Sequence, residues 1–155
     1  NVTNLGVGLL LTVVGLTQFL TQTYPLKRLL NRFGDAGLLV LGTTIRGLGL
    51  FIFALVTSPW LAGFGSLFFA LGMGTAMPPL QSLATRTVAD QVRGGVLGLY
   101  QSAISLSTII STALAGLLFA LHATFPYWLG GVLSLIVVVP ALSLARQARE
   151  GKLGA

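Results

Sequence analysis

Long apolar tracts alternate with short charged segments along this sequence. The ranges 1–26, 47–85 and 94–145 contain no Asp, Glu, Lys or Arg. A helix that crosses the hydrocarbon core of a bilayer needs about 20 apolar residues, so the first tract accommodates one span and the two longer tracts must be divided. Apolar runs such as 135–139 do not alternate with polar residues as barrel strands do. The pattern therefore predicts an all-α, polytopic helical membrane protein.

Turn-forming residues divide these tracts into five predicted transmembrane helices. The corner Ser58-Pro59-Trp60 divides the second tract, and the segment 122–126 divides the last. Trp60 also suits the membrane interface, where aromatic side chains are enriched. Within a single membrane domain over residues 1–155, we predict spans at about 5–26, 38–56, 61–84, 95–121 and 127–145, followed by a cytoplasmic tail at 146–155.

Glycine and proline predict two local irregularities. Between the first two spans, residues 31–35 are expected to form a tight loop in which Gly34 takes positive φ at little cost. In the third span, Pro78 and Pro79 lack backbone donors and clash with the preceding turn. This helix is therefore expected to kink or loosen near Pro78.

Composition strengthens the membrane assignment and limits the partners. Of the 155 residues, 54% are hydrophobic and 8% are charged, whereas about a quarter of the residues are charged in soluble domains. The formal net charge is +6, but the basic residues lie in short loops and form no basic face of the kind that binds phosphates. The lipid bilayer is thus the expected partner, and nucleic acid is not.

The distribution of basic residues predicts the orientation. With five alternating spans, every basic residue outside the spans falls on one side of the membrane. By the positive-inside rule this side is the cytoplasm, which places the C-terminus inside and Asn1 outside. The first predicted span enters from outside, and the chain starts without Met or a basic leader. Together these features lead us to expect that further helices precede it. The basic residues of the inner side are Lys27, Arg28, Arg32, Arg86, Arg93, Arg146, Arg149 and Lys152.

Catalytic or metal-binding constellations are not apparent in the sequence. There is no cysteine, the single histidine, His122, falls in an outer loop, and the three acidic residues lie in or beside inner loops. These residues support neither nucleophilic nor metal-assisted chemistry. We therefore expect a protein that is not an enzyme and that uses no cofactor or metal.

Polar side chains within the spans point instead to the passage of a solute. A glutamine amide that faces lipid without a partner is costly, so each glutamine should either bond to a neighbouring helix or contact a solute. On the fourth span, small and hydroxyl-bearing residues recur every three or four positions and share one face. Such a face either allows close helix packing or lines a water-filled pathway. The candidates for the pathway are Gln18, Gln22, Gln81, Gln101, Ser102 and Ser105.

Arg46 is the single charge within a predicted span. About ten residues separate it from the start of that helix, which at 1.5 Å per residue places it roughly 15 Å along. Its long side chain either reaches back to the inner interface or faces protein or water. A charge inside the membrane is by default a candidate for function.

Two stretches resemble the major facilitator superfamily of transporters. Residues 27–35 resemble a degenerate copy of the family's loop motif, Gly-x-x-x-Asp-Arg-x-Gly-Arg-Arg, in which Arg32 and Gly34 match and Asn31 replaces the aspartate. The matches to helices ten and eleven of the family are Gly72-x-Gly74 with Pro78, Arg93-Gly94, and Gly98-x-x-x-Ser102. The tetracycline-exporter-like drug:proton antiporter branch is the most similar. The resemblance makes Asn31, Arg32, Gly34, Arg93 and Gly94 candidates for a conformational motif.

The resemblance implies a partial major-facilitator fold, in which the five spans are helices eight to twelve, and the N-terminal half and helix seven lie outside this chain. It implies a secondary active transporter that moves a small molecule by alternating access, for example in drug or solute efflux, in a bacterial cytoplasmic (inner) membrane. Helices eight, ten and eleven line the cavity in this family, which supports Gln18, Gln101 and Ser102. Arg46 falls on a peripheral helix.

A second hypothesis comes from another class of protein. A transporter-like membrane subunit that acts as a packing or assembly partner in a larger complex would present the same helices. No Asp or Glu lies within the predicted spans, so a carboxylate for proton coupling would have to lie in the N-terminal half. The length of the intact polypeptide distinguishes the two hypotheses.

Overall fold

The computed structural model describes residues 4–23, 25–86 and 88–149, and the regular elements in these ranges are all helical. Five α-helices follow one another, with a short 3-10 turn at Asp90–Val92 before the fourth. The predicted all-α fold is confirmed, while Asn1 and residues 150–155 of the predicted tail lie outside the described ranges. The helices are α1 (Asn4–Thr23), α2 (Pro25–Ala54), α3 (Pro59–Arg86), α4 (Arg93–Leu121) and α5 (Phe125–Arg149).

Helix α2 differs from the prediction at its start. The sequence predicts a loop over 31–35, whereas the helix begins at Pro25 and includes these residues. Apolar residues at positions 26, 29, 30 and 33 recur at helical spacing, which gives this basic segment an apolar side. Only Gly34 leaves helical backbone angles, with φ 68° and ψ 173°. The expected positive φ is present, and Gly34 separates two helical segments by a kink instead of by a longer loop.

Helix α3 continues through both of its prolines. The helix extends from Pro59 to Arg86 with Pro78 and Pro79 inside it, so the backbone is helical where loosening was expected. Pro79 is among the most completely buried side chains. Packing by neighbouring helices therefore stabilises the turn that the missing backbone donors weaken.

The dimensions and surface of the helices are those of a membrane protein. Among the described residues, four segments are long and apolar enough to span a bilayer, while Gly8–Thr23 is a shorter apolar helix; the four are Leu26–Ala54, Pro59–Arg86, Asp90–Leu121 and Phe125–Ser143. Many large apolar side chains lie on the outside, as Leu99 and Leu117 do on α4. Such surfaces are stable where hydrocarbon takes the place of water.

Helix α2 lies at the centre of the packing. It packs mainly against α3 and α5, and α1 packs against α3. Helix α4 contacts α3 and α5 only lightly and has no buried residue. The chain therefore consists of a packed unit of α2, α3 and α5 with α1 on one side, and of a fourth helix that is largely open.

Glycines bring the backbones of α2 and α3 into direct contact. A Cβ atom on Gly49 would lie 2.6 Å from the backbone nitrogen of Phe69, and one on Gly42 would lie 2.7 Å from that of Ala76. A Cβ on Gly72 would overlap the backbone of Arg46. No side chain fits at these positions, so glycine is required for this close helix crossing.

Candidate functional site

One face of α3 contacts α1 at one level and α4 at another. Gly74, Pro78 and Gln81 are spaced by four and three residues and so share this face. A Cβ on Gly74 would lie 3.2 Å from Cβ of Thr21 and 3.5 Å from Cα of Gln18, which places α1 here. One turn further on, Pro78 and Gln81 line an open cleft against the start of α4. Because all three residues share a face, α1 and α4 flank the same side of α3.

The cleft between α3 and α4 has a volume of about 340 Å³. The described parts of α1 and α4 each contact α3 but do not contact each other. On this face Gly74 is buried, whereas Gln81 is left exposed by the described residues. The residues that line the cleft are Pro78, Gln81, Ser82, Thr85, Arg93 and Leu97.

The four predicted glutamines differ in exposure. Gln18 is half-buried beside α3, whereas Gln22, Gln81 and Gln101 are exposed. The structure brings Gln81 together with Arg93 in one cleft. None of the four amides forms a hydrogen bond to another described residue, so the alternative of amide bonding to neighbouring helices is not realised there. Their contact with a solute stays a prediction.

The small-residue face of α4 is open. Ser102 and Ser105 are exposed, and the Ser102 hydroxyl donates to the carbonyl of Gly98 one turn earlier, at 2.9 Å. This bond within the helix satisfies the hydroxyl without a partner helix. A Cβ on Gly98 or on Gly116 would meet nothing within 4 Å. Close packing of this face therefore does not occur among the described helices.

An ion pair joins the start of the α2 span to the end of α3. The Arg86 guanidinium lies 2.8 Å from Oδ2 of Asp35, whose side chain is only 8% exposed. The Ser82 hydroxyl donates to the same oxygen at 3.3 Å. Asp35 directly follows the kink at Gly34, so the kink marks the point from which this carboxylate reaches α3.

A second set of contacts joins α3 to the start of α4. Nε of Arg93 donates to the carbonyl of Thr85 at 3.3 Å, and its guanidinium also pairs with Asp90 at 2.9 Å. Arg93 thus bridges the segment between α3 and α4 and also lines the cleft. Gly94 is exposed, with open space where a Cβ would lie.

The conformational-motif candidates do not form one cluster. Asn31 and Arg32 are exposed on the first turns of α2, and the Arg32 guanidinium carbon lies 5.7 Å from the ring centre of Phe33. The ionic contact is made by Asp35 instead, which stands where the motif that residues 27–35 resemble has an arginine. The local sequence also does not indicate that Asp35 is buried, because this residue lies in a charged segment.

Arg46 faces protein at the crossing of α2 and α3. Its Nη1 donates to the sulfur of Met73 at 3.7 Å, and its Nε is buried without a hydrogen-bond partner among the described residues. It is therefore directed into the helix interface and not along the helix toward the inner surface. Arg46 does not line the cleft between α3 and α4, and its role stays a prediction.

Long apolar helices define a polytopic membrane protein. The sequence model of the Major Facilitator Superfamily matches residues 1–154, and the chain belongs to this family. It is a family of transporters and not of enzymes, as the sequence predicts. The similarity to its tetracycline-exporter-like branch is also confirmed.

Several curated relatives show the extent of the match. The chain is 28% identical over 88% of its length to the tetracycline resistance protein, class C, of Escherichia coli, and covers 35% of that protein. It is 29% identical over 84% of its length to the multidrug resistance protein MdtH of Photorhabdus laumondii, and covers 33% of it. The chain therefore spans about one third of the length of these relatives. No solved structure matches the chain.

Proposed function

We propose that this chain forms part of a secondary active transporter that moves a small molecule across the membrane by alternating access. The observation that carries the proposal is the open cleft between α3 and α4, whose polar lining includes Gln81, Ser82 and Thr85 and which α1 does not close. A polar face inside a membrane is costly unless water, a solute or another helix covers it. Membership of a transporter family favours a solute pathway.

Residues from three helices would contact the solute. Gln18, with Gln22 one turn further on, would contribute from α1, and Gln81 from α3. Gln101, Ser102 and Ser105 would contribute from α4, where they are exposed. Two relatives are named as a tetracycline resistance protein and a multidrug resistance protein. These names favour the efflux of a drug-like molecule.

A second transporter half would complete the pathway. Alternating access requires two halves that rock around a central site, and about two thirds of the length of the relatives lies outside the match. Helix α4 has no buried residue and is available for such contacts. The N-terminal half would therefore cover α1 and α4, while α2, α3 and α5 move together as one packed unit.

The charged contacts would lie at the cytoplasmic end of this unit. The Asp35–Arg86 pair and the Arg93–Thr85 hydrogen bond join α2, α3 and α4 at the basic side. By the positive-inside rule this side faces the cytoplasm of a bacterial inner membrane, with the C-terminus inside and Asn1 outside. The two contacts would keep the three helix ends together while the halves rock.

Removing one amide from the pathway tests the proposal. In the full-length protein, Gln101→Ala is expected to lower the flux of the transported solute by about 2- to 10-fold, since a neutral hydrogen bond contributes about 0.5–1.5 kcal/mol. Gln91→Ala is the matched control, because Gln91 is exposed in the 3-10 turn outside the cleft. Flux is measured with a panel of drugs at equal amounts of inserted protein. Equal flux in both variants would contradict the pathway assignment.

An assembly subunit is the alternative function. The open face of α4 would suit a helix of a neighbouring subunit equally well. The mass of the intact polypeptide distinguishes the two, since a transporter should have about three times the length of this chain, as its relatives do. A mature protein of 155 residues would favour the assembly role.

A further inference from the structure

A groove between α2 and α5 lies on a different side of α2 from the α3 crossing. It has a volume of about 390 Å³, within the range of roughly 300–1,000 Å³ that ligand pockets occupy. Its walls are almost wholly apolar. Gly37, Val40 and Leu41 line it on α2, Leu142 lines it on α5, and Phe33 and Arg146 lie at its inner end.

The groove exists because α2 and α5 are close at one end and apart at the other. Toward the outer side, a Cβ on Gly47 would lie 3.2 Å from Cβ of Ser134. There the rings of Phe51 and Trp128 also meet edge to face, with centres 5.5 Å apart. Toward the inner side the small residue Gly37 leaves space instead. Two helices that contact tightly at one end diverge along their length, which opens a wedge to the surrounding lipid.

Charge at the inner end of the groove is positive. The exposed Arg146 side chain contributes to the lining, and the guanidinium of Arg32 lies 5.7 Å from the ring centre of Phe33. No acidic residue lines the groove, and Asp35, the acid nearest to Arg32 in the sequence, pairs with Arg86 on α3. An apolar groove that ends at basic side chains complements a molecule with a long apolar chain and an anionic head.

We propose that the α2–α5 groove binds one anionic phospholipid of the cytoplasmic leaflet. An acyl chain lies along Val40, Leu41 and Leu142, and the phosphate lies between Arg146 and Arg32. Basic pockets between membrane helices on the cytoplasmic side bind anionic headgroups in this way. The choice of leaflet rests on the orientation proposed above, whereas the groove and its charge do not depend on the solute pathway.

Lipid binding to the full-length protein tests the proposal. The purified protein in detergent is titrated with phosphatidylglycerol or phosphatidylcholine, and bound lipids are counted by native mass spectrometry. The wild-type protein should retain one phosphatidylglycerol, and Arg146→Gln should weaken it by about fivefold, the effect of one basic residue at an anionic headgroup. Arg93→Gln removes the same charge at the other cleft and should leave this binding unchanged.

A second variant tests the acyl-chain part of the site. Gly37→Leu adds a side chain that fills the groove, so it should abolish the retention of phosphatidylglycerol. Gly63→Leu is its control, because a Cβ on Gly63 would meet nothing within 4 Å. Retention of phosphatidylglycerol by Gly37→Leu, or equal affinity in Arg146→Gln and wild type, would overturn the proposal. Because the measured quantity is bound lipid, a failure here is distinguishable from a failure of the transport proposal.

Discussion

Replacing Arg86 by glutamine should destabilise the protein more than replacing its partner Asp35 by asparagine. The two side chains form one ion pair at 2.8 Å, but Asp35 is 8% exposed and Arg86 is 71% exposed. Without Arg86, a buried carboxylate keeps only the hydrogen bond from Ser82. Without the charge of Asp35, Arg86 returns to water at little cost.

The burial of each side chain determines how much each substitution lowers the free energy of unfolding. Breaking a buried pair from one side costs about 3–5 kcal/mol, whereas exposed pairs contribute about 0.2–1 kcal/mol. The exposed guanidinium of Arg86 places this pair between these limits, because solvent screens it. We expect Arg86→Gln to lower the free energy of unfolding by about 1–2 kcal/mol and Asp35→Asn to lower it by less than about 1 kcal/mol.

Denaturant titration of the purified full-length protein measures both free energies of unfolding. Asp90→Asn is the matched control, since Asp90 makes an exposed pair with Arg93, and it should cost no more than about 0.5 kcal/mol. A double variant of Asp35 and Arg86 gives the coupling free energy of the pair. The reasoning is refuted if Asp35→Asn costs as much as Arg86→Gln, or if the coupling is indistinguishable from that of the control pair.

Two further predictions concern the helix crossing and the open face of α4. Gly49→Leu should cost about 1–3 kcal/mol or more of stability, because a Cβ there would meet the backbone of α3 at 2.6 Å; Gly63→Leu should be tolerated, and equal yields of folded protein from both would contradict the crossing. Because the chain contains no cysteine, Ser102→Cys can be labelled selectively by a water-soluble maleimide. Ser134→Cys should not react, since Ser134 is 1% exposed, and absence of labelling at position 102 would argue against a water-filled pathway along α4.

Hydropathy was sufficient to predict the helices and insufficient to predict where α2 begins. Helices α1, α3, α4 and α5 lie almost wholly within the tracts without charge. The start of α2 was missed because Lys27, Arg28 and Arg32 dominate the local hydropathy, although the apolar positions between them have helical spacing. Charged residues indicate where a helix leaves the membrane, but they do not indicate where the helical conformation ends.

The remaining differences between the sequence-based prediction and the structure depend on which helices pack against each other. Gly42 and Gly49 are seven residues apart, as are Gly65 and Gly72, and this spacing was a readable signal for the α2–α3 crossing. The sequence alone does not show which helix meets which. The buried state of Asp35 likewise depends on the approach of Arg86 from α3. The polar face of α4 was predicted from the spacing of its small and hydroxyl-bearing residues. Its exposure could not be predicted, because it depends on which helices pack against each other.

The close contact of α2 and α3 also bears on how the protein can diverge. At Gly42, Gly49 and Gly72 the neighbouring backbone leaves no space for any side chain, so these positions are closed to substitution. At Gly98 and Gly116 on α4, an added Cβ atom would meet nothing within 4 Å among the described residues. Among these residues, the constraint on sequence change therefore falls on the α2–α3 crossing and not on the open face of α4.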